Sequence, residues 1–191
     1  MYDIFVDNLK RVDSLLTIYQ GQTNKNIGDS KSTDILRASI VLLHSSFEDY
    51  FRGIIINYLI KTTDANSLSR MPLILGDNKV EKVFLSNLLQ YKEKTIQEVF
   101  DSSIKQYMET ISFNDYADIV KWCNTIKVNL TTFSEASFIN DLISRRHKIV
   151  HQADLIVDCN GVKKLSSMSM DWIVKRKQSV INLVELIHKQ E

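Results

Sequence analysis

The stretch Ser144-Arg145-Arg146-His147-Lys148-Ile149-Val150-His151-Gln152-Ala153-Asp154 gathers the side chains of this sequence best suited to chemistry on a phosphate. Four cationic or titratable groups precede His151, and no acid interrupts them before Asp154. An imidazole can take or give a proton near neutral pH. A guanidinium can grip a phosphate through two N–H groups and offset charge growing on its oxygens. Arg and His together form a minimal kit for cutting RNA internally without metal. A base takes the proton of the ribose 2′-OH, which attacks the adjoining phosphate, and an acid protonates the leaving 5′-oxygen. One His does not readily serve as both within a turnover. Two copies of the chain in a symmetric dimer would supply both roles.

The spacing leaves the partner of His151 open. Arg146 and His151 bracket four residues, whereas Arg145 and His151 bracket five. Positions five apart on a straight α-helix point roughly 140° from one another. Arg146 must therefore reach around the helix, or the helix must break, or the Arg must come from a second copy. His147 and His151 are four apart and share a face, as a zinc-binding pair would. The residue where a metalloprotease motif carries Glu is Lys148, and no third ligand is evident, so no metal and no cofactor are expected.

Arg146-His147-Lys148-Ile149-Val150-His151 resembles the R-x4-6-H signature of HEPN ribonucleases, in which a polar residue often follows the Arg. The longer string Arg146 to Asp154 is similar to the RiboL-PSP-HEPN and MAE_28990/MAE_18760-like branches of that superfamily. Leu36 to Tyr50 is similar to the early helix of the same branch, with its Arg, Ser and acidic positions. The resemblance covers about residues 33–60 and 133–187. It implies an α-helical bundle, a homodimer and RNA cleavage at a composite cleft, with Arg146 and His151 as catalytic residues. It also points to a cytoplasmic toxin or phage-defence protein that has an antitoxin or defence-system partner. A non-catalytic module that binds RNA or a partner protein is the alternative, and a helical adaptor with a coincidental motif is the blandest reading.

Around this pair, His147, Glu48, Asp154 and Arg145 are candidate supporting groups. Glu48 either orients the catalytic groups across the bundle or is a solvated helix acid. His44 and His188 are expected to be structural or exposed. From Ser144 to Lys177 there are eight basic and three acidic side chains, a net of +5, whereas residues 1–143 carry fifteen and eighteen, a net of −3. The basic excess is thus confined to the motif and the segment C-terminal to it, as a phosphate-binding face requires. Lys148, Lys175, Arg176 and Lys177 are the candidate RNA contacts. Lysine and arginine runs of this kind, Lys163 and Lys164 included, are also common on solvated faces.

The elements that must position these groups read as helices. Of 191 residues only one is Pro and five are Gly, and 44% are apolar. That length suits one domain, residues 1–191, with an all-α bundle and a loop-rich central excursion. Phe5, Leu9, Val12, Leu16 and Tyr19 predict a helix over about Tyr2–Gln20. Gly21–Ser32 is polar and reads as a loop. Thr33 is placed as the cap of a long helix to about Lys61, with Leu36, Ile40, Leu43, Phe47, Phe51 and Ile54 as its buried stripe. Thr62–Asn78 contains Pro72 and Gly76 and reads as a loop holding a short helix. Val80–Ile111 is helical by pattern with a break near Tyr91–Lys94, and Asn114–Ile126 is helical too. Another helix runs from Ser134 through the motif, and the last begins near Ser169. Asp158-Cys159-Asn160-Gly161 signals a turn. No strand pattern outcompetes helix, and Trp122 and Trp172 are expected in the core.

Cys123 and Cys159 form no CxxC or zinc pattern and fit free thiols in a reducing cytosol. The N-terminal residues do not read as a signal peptide. The apolar run Gly53–Ile60 is far too short to span a bilayer, so no membrane role is expected.

Overall fold

The computed structural model describes residues 1–23, 30–69, 71–75, 78–79 and 85–190. Helix α1 spans Tyr2–Thr23 and α2 spans Ser30–Lys61. A short α3 (Ala65–Leu68) is followed by the strands β1 (Ile74–Leu75) and β2 (Asn78–Lys79), a 3₁₀-helix at Leu85–Tyr91, and α4 (Ile96–Glu109). Then come α5 (Tyr116–Thr125), α6 (Ala136–Gln152), β3 (Leu155–Val157), β4 (Lys163–Leu165) and α7 (Met170–His188). The result is an all-α helical bundle with two small antiparallel strand pairs, β1 with β2 and β3 with β4.

The bundle is organised around α2 because that helix is apolar on more than one side. Leu36, Ile40, Leu43, Phe47, Tyr50, Phe51, Ile54, Ile55 and Leu59 are all buried along it. It packs against α1, α4, α6 and α7. Helix α1 contributes Phe5, Leu9, Val12 and Leu16, and α7 contributes Ile173, Val180, Leu183, Val184 and Ile187, all to the same core. Removing one large side chain from such a position, for example Phe47→Ala, costs about 3–5 kcal/mol.

Four sequence expectations need adjustment. Helix α1 runs on to Thr23, so Gly21 is helical, while the expected loop residues Asn24, Asn26, Gly28 and Asp29 lie outside the described residues. Helix α2 starts at Ser30, which leaves Thr33 inside it. The Thr33 hydroxyl instead accepts a hydrogen bond from Arg37 Nη1 at 2.8 Å.

In the expected helix over Val80–Ile111, residues 80–84 lie outside the described set, and Leu85–Tyr91 is 3₁₀ rather than α. The break itself falls where Thr95 caps α4. Its hydroxyl accepts from Glu98 N, and Glu98 reaches back to Thr95 N at 2.7 Å.

The hairpin of β3 and β4 overturns the expectation of no strand. Asp158 Oδ1 accepts from the amides of Asn160 (2.9 Å) and Val162 (3.0 Å), and Gly161 takes φ +77°. This tight turn brings β-branched Ile156 and Val157 opposite Lys164 and Lys163. The turn signal was visible in the sequence, and local side-chain bonding extended it into a pair of strands.

Candidate functional site

The motif occupies the last turns of α6, which stays helical through Gln152 and then ends abruptly. Ala153 and Asp154 both adopt left-handed backbone conformations, with φ of 50° and 55°. Asp154 N donates to Lys148 O at 3.0 Å and closes the helix end. Ala is an uncommon occupant of that conformation, so something must hold the turn.

The Asp154 carboxylate supplies the hold. It is buried, and its Oδ2 accepts from Arg37 Nε and from Arg145 Nη2, each at 2.8 Å. Arg37 also donates to Ser166 O at 2.9 Å, and Arg145 donates to Ser167 O at 2.9 Å. The network ties α2, the end of α6 and the segment after β4 together. Arg145 and Asp154 are thus occupied in holding the backbone of the motif.

Arg146, one residue along the helix, points elsewhere. It lines a cleft of about 640 Å³ together with His147, Lys148 and His151 of α6, His44 and Glu48 of α2, and the loop Ser112–Asn114. Arg146 and His151 therefore border one cleft although α6 is unbroken, so the long Arg side chain reaches around. The His147 and His151 rings stand 4.6 Å apart between centroids, tilted by 46°. Arg146 Nε is buried without a hydrogen-bond partner. Both His147 and His151 are exposed at the mouth.

The wall contributed by α2 is polar. Glu48 Oε1 accepts from Arg52 Nη2 at 2.9 Å. Arg52 in turn donates to the carbonyls of Met108 (3.0 Å) and Ile111 (2.9 Å), which fixes the carboxylate against α4. His44 is buried with its Nδ1 3.6 Å from Glu48 Oε2. Burial pushes its imidazole down to about 4, against the opposing pull of Glu48 and with help from Arg146. It is neutral at pH 7. Sequence reasoning placed Glu48 among the supporting groups but left His44 out. The signal that was available is the i,i+4 spacing of His44 and Glu48 on one helix.

The remaining basic candidates do not line the cleft. Arg176 is buried, pairs with Asp141 at 2.6 Å, and lies against the rings of Trp172 (4.3 Å) and Phe138 (4.8 Å). Lys177 pairs with Asp13 of α1. Lys175 is exposed on α7. Trp122 and Trp172 are half-buried at the edge of the core. Among the described residues, no three His, Cys, Asp or Glu side chains gather as metal ligands do.

The family model described as RiboL-PSP-HEPN matches residues 6–190. The chain belongs to the RiboL-PSP-HEPN family. The match extends the likeness through the middle of the chain, where the loop between α4 and α5 borders the cleft. No curated protein and no solved structure matches the chain. Among the described residues, no helix of this HEPN protein is long and apolar enough to cross a membrane.

Proposed function

We propose that this chain is a metal-independent endoribonuclease that cuts RNA by 2′-OH attack at a composite site formed by two copies of the chain. The observation that carries the reading is the cleft shared by Arg146 and His151, in a HEPN domain that is typically a ribonuclease. Arg146 grips the scissile phosphate, and its guanidinium is free to do so because Arg145 takes the Asp154 carboxylate. His151 moves the proton. In the reaction the 2′-oxygen bonds to phosphorus as its proton passes to one imidazole. The bond to the 5′-oxygen breaks as that oxygen gains a proton from another. The products are a 2′,3′-cyclic phosphate and a free 5′-hydroxyl. His147 and Glu48 support the pair, Lys148 holds the strand at the mouth, and Lys175 meets it further out. Arg145 and Asp154 act by fixing the helix end. Arg176 and Lys177 serve RNA only through the position they give α7, since both are already paired. A cytoplasmic toxin or defence role, restrained by an antitoxin or similar partner, fits such an activity.

A second reading rests on the hairpin beside the motif. Leu155, Ile156, Val157, Val162 and Leu165 are exposed there, which favours a module that docks a protein and binds RNA without cutting it. One experiment separates the two. Purified protein is incubated with mixed cellular RNA in EDTA, beside His151→Ala. Cleavage by the wild type alone, leaving cyclic phosphate ends, is the expected result. Equal cutting by His151→Ala, or cutting abolished by EDTA, rejects the mechanism. Binding without cutting promotes the second reading.

A further inference from the structure

His44 and Glu48 lie one turn apart on α2, and both face the cleft that Arg146 borders from α6. The two oxygens of Glu48 have different surroundings. Oε1 is taken by Arg52, whereas Oε2 looks toward His44 Nδ1 at 3.6 Å. That separation is too long for a hydrogen bond. His44 is only 3% exposed, and its Nδ1 has no partner. A buried imidazole N–H left unpaired is costly, and a carboxylate oxygen stands opposite it. A side-chain adjustment of less than about 1 Å brings them to bonding distance. Arg146 lies close enough to the same ring for its charge to disfavour protonation there. Its own Nε is also unpartnered.

A carboxylate and a guanidinium therefore face one imidazole from two helices, yet Glu48 and Arg146 are not paired with each other. The other groups on this cleft are His147, Lys148 and His151 of α6, and the loop residues Ser112, Phe113 and Asn114 bring no charge. Without His44, Glu48 Oε2 is open to Arg146, the cation that acts on the His44 ring from the facing helix. Such a pair would neutralise the cation that a phosphate needs.

We infer that His44 is a positioning residue of the cleft, which holds Glu48 Oε2 through its Nδ1–H and so keeps the carboxylate off Arg146, leaving the guanidinium for a phosphate of the bound strand. The inference rests on the ribonuclease reading for the identity of that strand. A neutral ring suits the task, because one N–H can turn to the facing carboxylate while no second positive charge repels Arg146.

The test uses a single-stranded RNA oligonucleotide with 2′-O-methyl riboses, which binds but cannot be cut, titrated over a range of salt. His44→Leu keeps the bulk and removes the donor. It should weaken binding about tenfold and lower the salt slope by roughly 0.7, as loss of one phosphate contact does, and Arg146→Ala should match it. His44→Asn, whose amide N–H stands near the position of Nδ1–H, should recover most of the loss. So should Glu48→Gln placed in the His44→Leu background. His44→Leu should add nothing to Arg146→Ala. Nitrogen-15 NMR of the free protein should show the His44 proton on Nδ1, with a shift that changes in Glu48→Gln.

Wild-type affinity in a folded His44→Leu protein overturns the inference. So does a loss that persists in the Glu48→Gln or Arg146→Ala background, or a proton found on Nε2. A wild type that binds the oligonucleotide but leaves ordinary RNA intact rejects the ribonuclease reading while the binding cycle still decides the role of His44. A wild type that cuts RNA while His44→Leu binds like it rejects the inference alone.

Discussion

Arg145 and Asp154 lie nine residues apart in the chain, yet Nη2 of one sits 2.8 Å from Oδ2 of the other across the left-handed turn that ends α6. The contact divides two neighbouring arginines between two tasks: Arg145 holds the backbone, and Arg146 is left facing the cleft. The Asp154 carboxylate is fully buried and shared with Arg37.

Asp154→Ala should therefore destabilise the fold by about 3–5 kcal/mol, because it leaves two guanidinium groups facing a buried gap. Arg145→Ala should cost less, about 1–3 kcal/mol, since Arg37 still pairs with the aspartate. Arg146→Ala should stay within about 1 kcal/mol of the wild type. Urea unfolding of the three variants checks the order. Equal stability of Asp154→Ala and Arg146→Ala would contradict the structural role given to the aspartate.

On the proposed mechanism, activity should instead be most sensitive at His151 and Arg146. His151→Ala removes proton transfer, which is typically worth about 10²–10⁴ in rate. Arg146→Ala removes a phosphate-stabilising group and should cost on the order of 10²–10³. Rates are measured on a short RNA, with a copy carrying 2′-deoxyribose at the cut site as control. Cleavage of that control at the same bond would remove the 2′-OH from the mechanism.

A dimer is expected in solution, with the two clefts beside the interface, because one His151 per chain does not supply both acid and base. Light scattering at micromolar concentration should give twice the 22.1 kDa chain mass. A strictly monomeric protein that still cuts RNA would require both proton transfers within one cleft.

Stability should depend on pH through His44. Its pKa is lowered from 6.5 to about 4 in the folded protein, so folding prefers the neutral ring. The associated stability is complete above the unfolded pKa of about 6.5. It is lost as pH falls from there toward 4, in total on the order of 3 kcal/mol. Glu48 and Arg146, which face the ring, act in opposite directions on it. Thermal melting from pH 7 to pH 4 should show the decline, and His44→Asn should flatten it. An identical pH profile in that variant would mean that other groups carry the effect.

The cysteines offer a check on the core. Cys123 is buried and its thiol is pushed up to about 12 by desolvation, whereas Cys159 is exposed beside the hairpin turn. A thiol-specific alkylating reagent should modify one site in the native protein and two in urea. Rapid native labelling of Cys123 would show that α5 does not pack as described.

Helical periodicity was enough to place α1, α2, α6 and α7, because their apolar residues recur at the spacing of one helix face and few breakers interrupt them. The same local reading put Arg146, His151 and Glu48 at the candidate site and marked the turn at residues 158–161. It placed the start of α2 at Thr33 and missed the β3–β4 hairpin. Those outcomes depend on which competing hydrogen bond a short side chain makes.

Residue type and spacing by themselves determined the helical class, the family likeness and the presence of an Arg–His pair. They could not divide labour between Arg145 and Arg146, since that division depends on where Asp154 lands after the chain reverses. Nor could they tell that Arg176 and Lys177 are already engaged, or that His44 is a buried wall of the cleft. Burial and charge pairing arise between elements distant in sequence, Arg37 and Asp154 being 117 residues apart. Only the packing of α2 against α6 fixes which cation is neutralised by Asp154 and which is left facing the cleft.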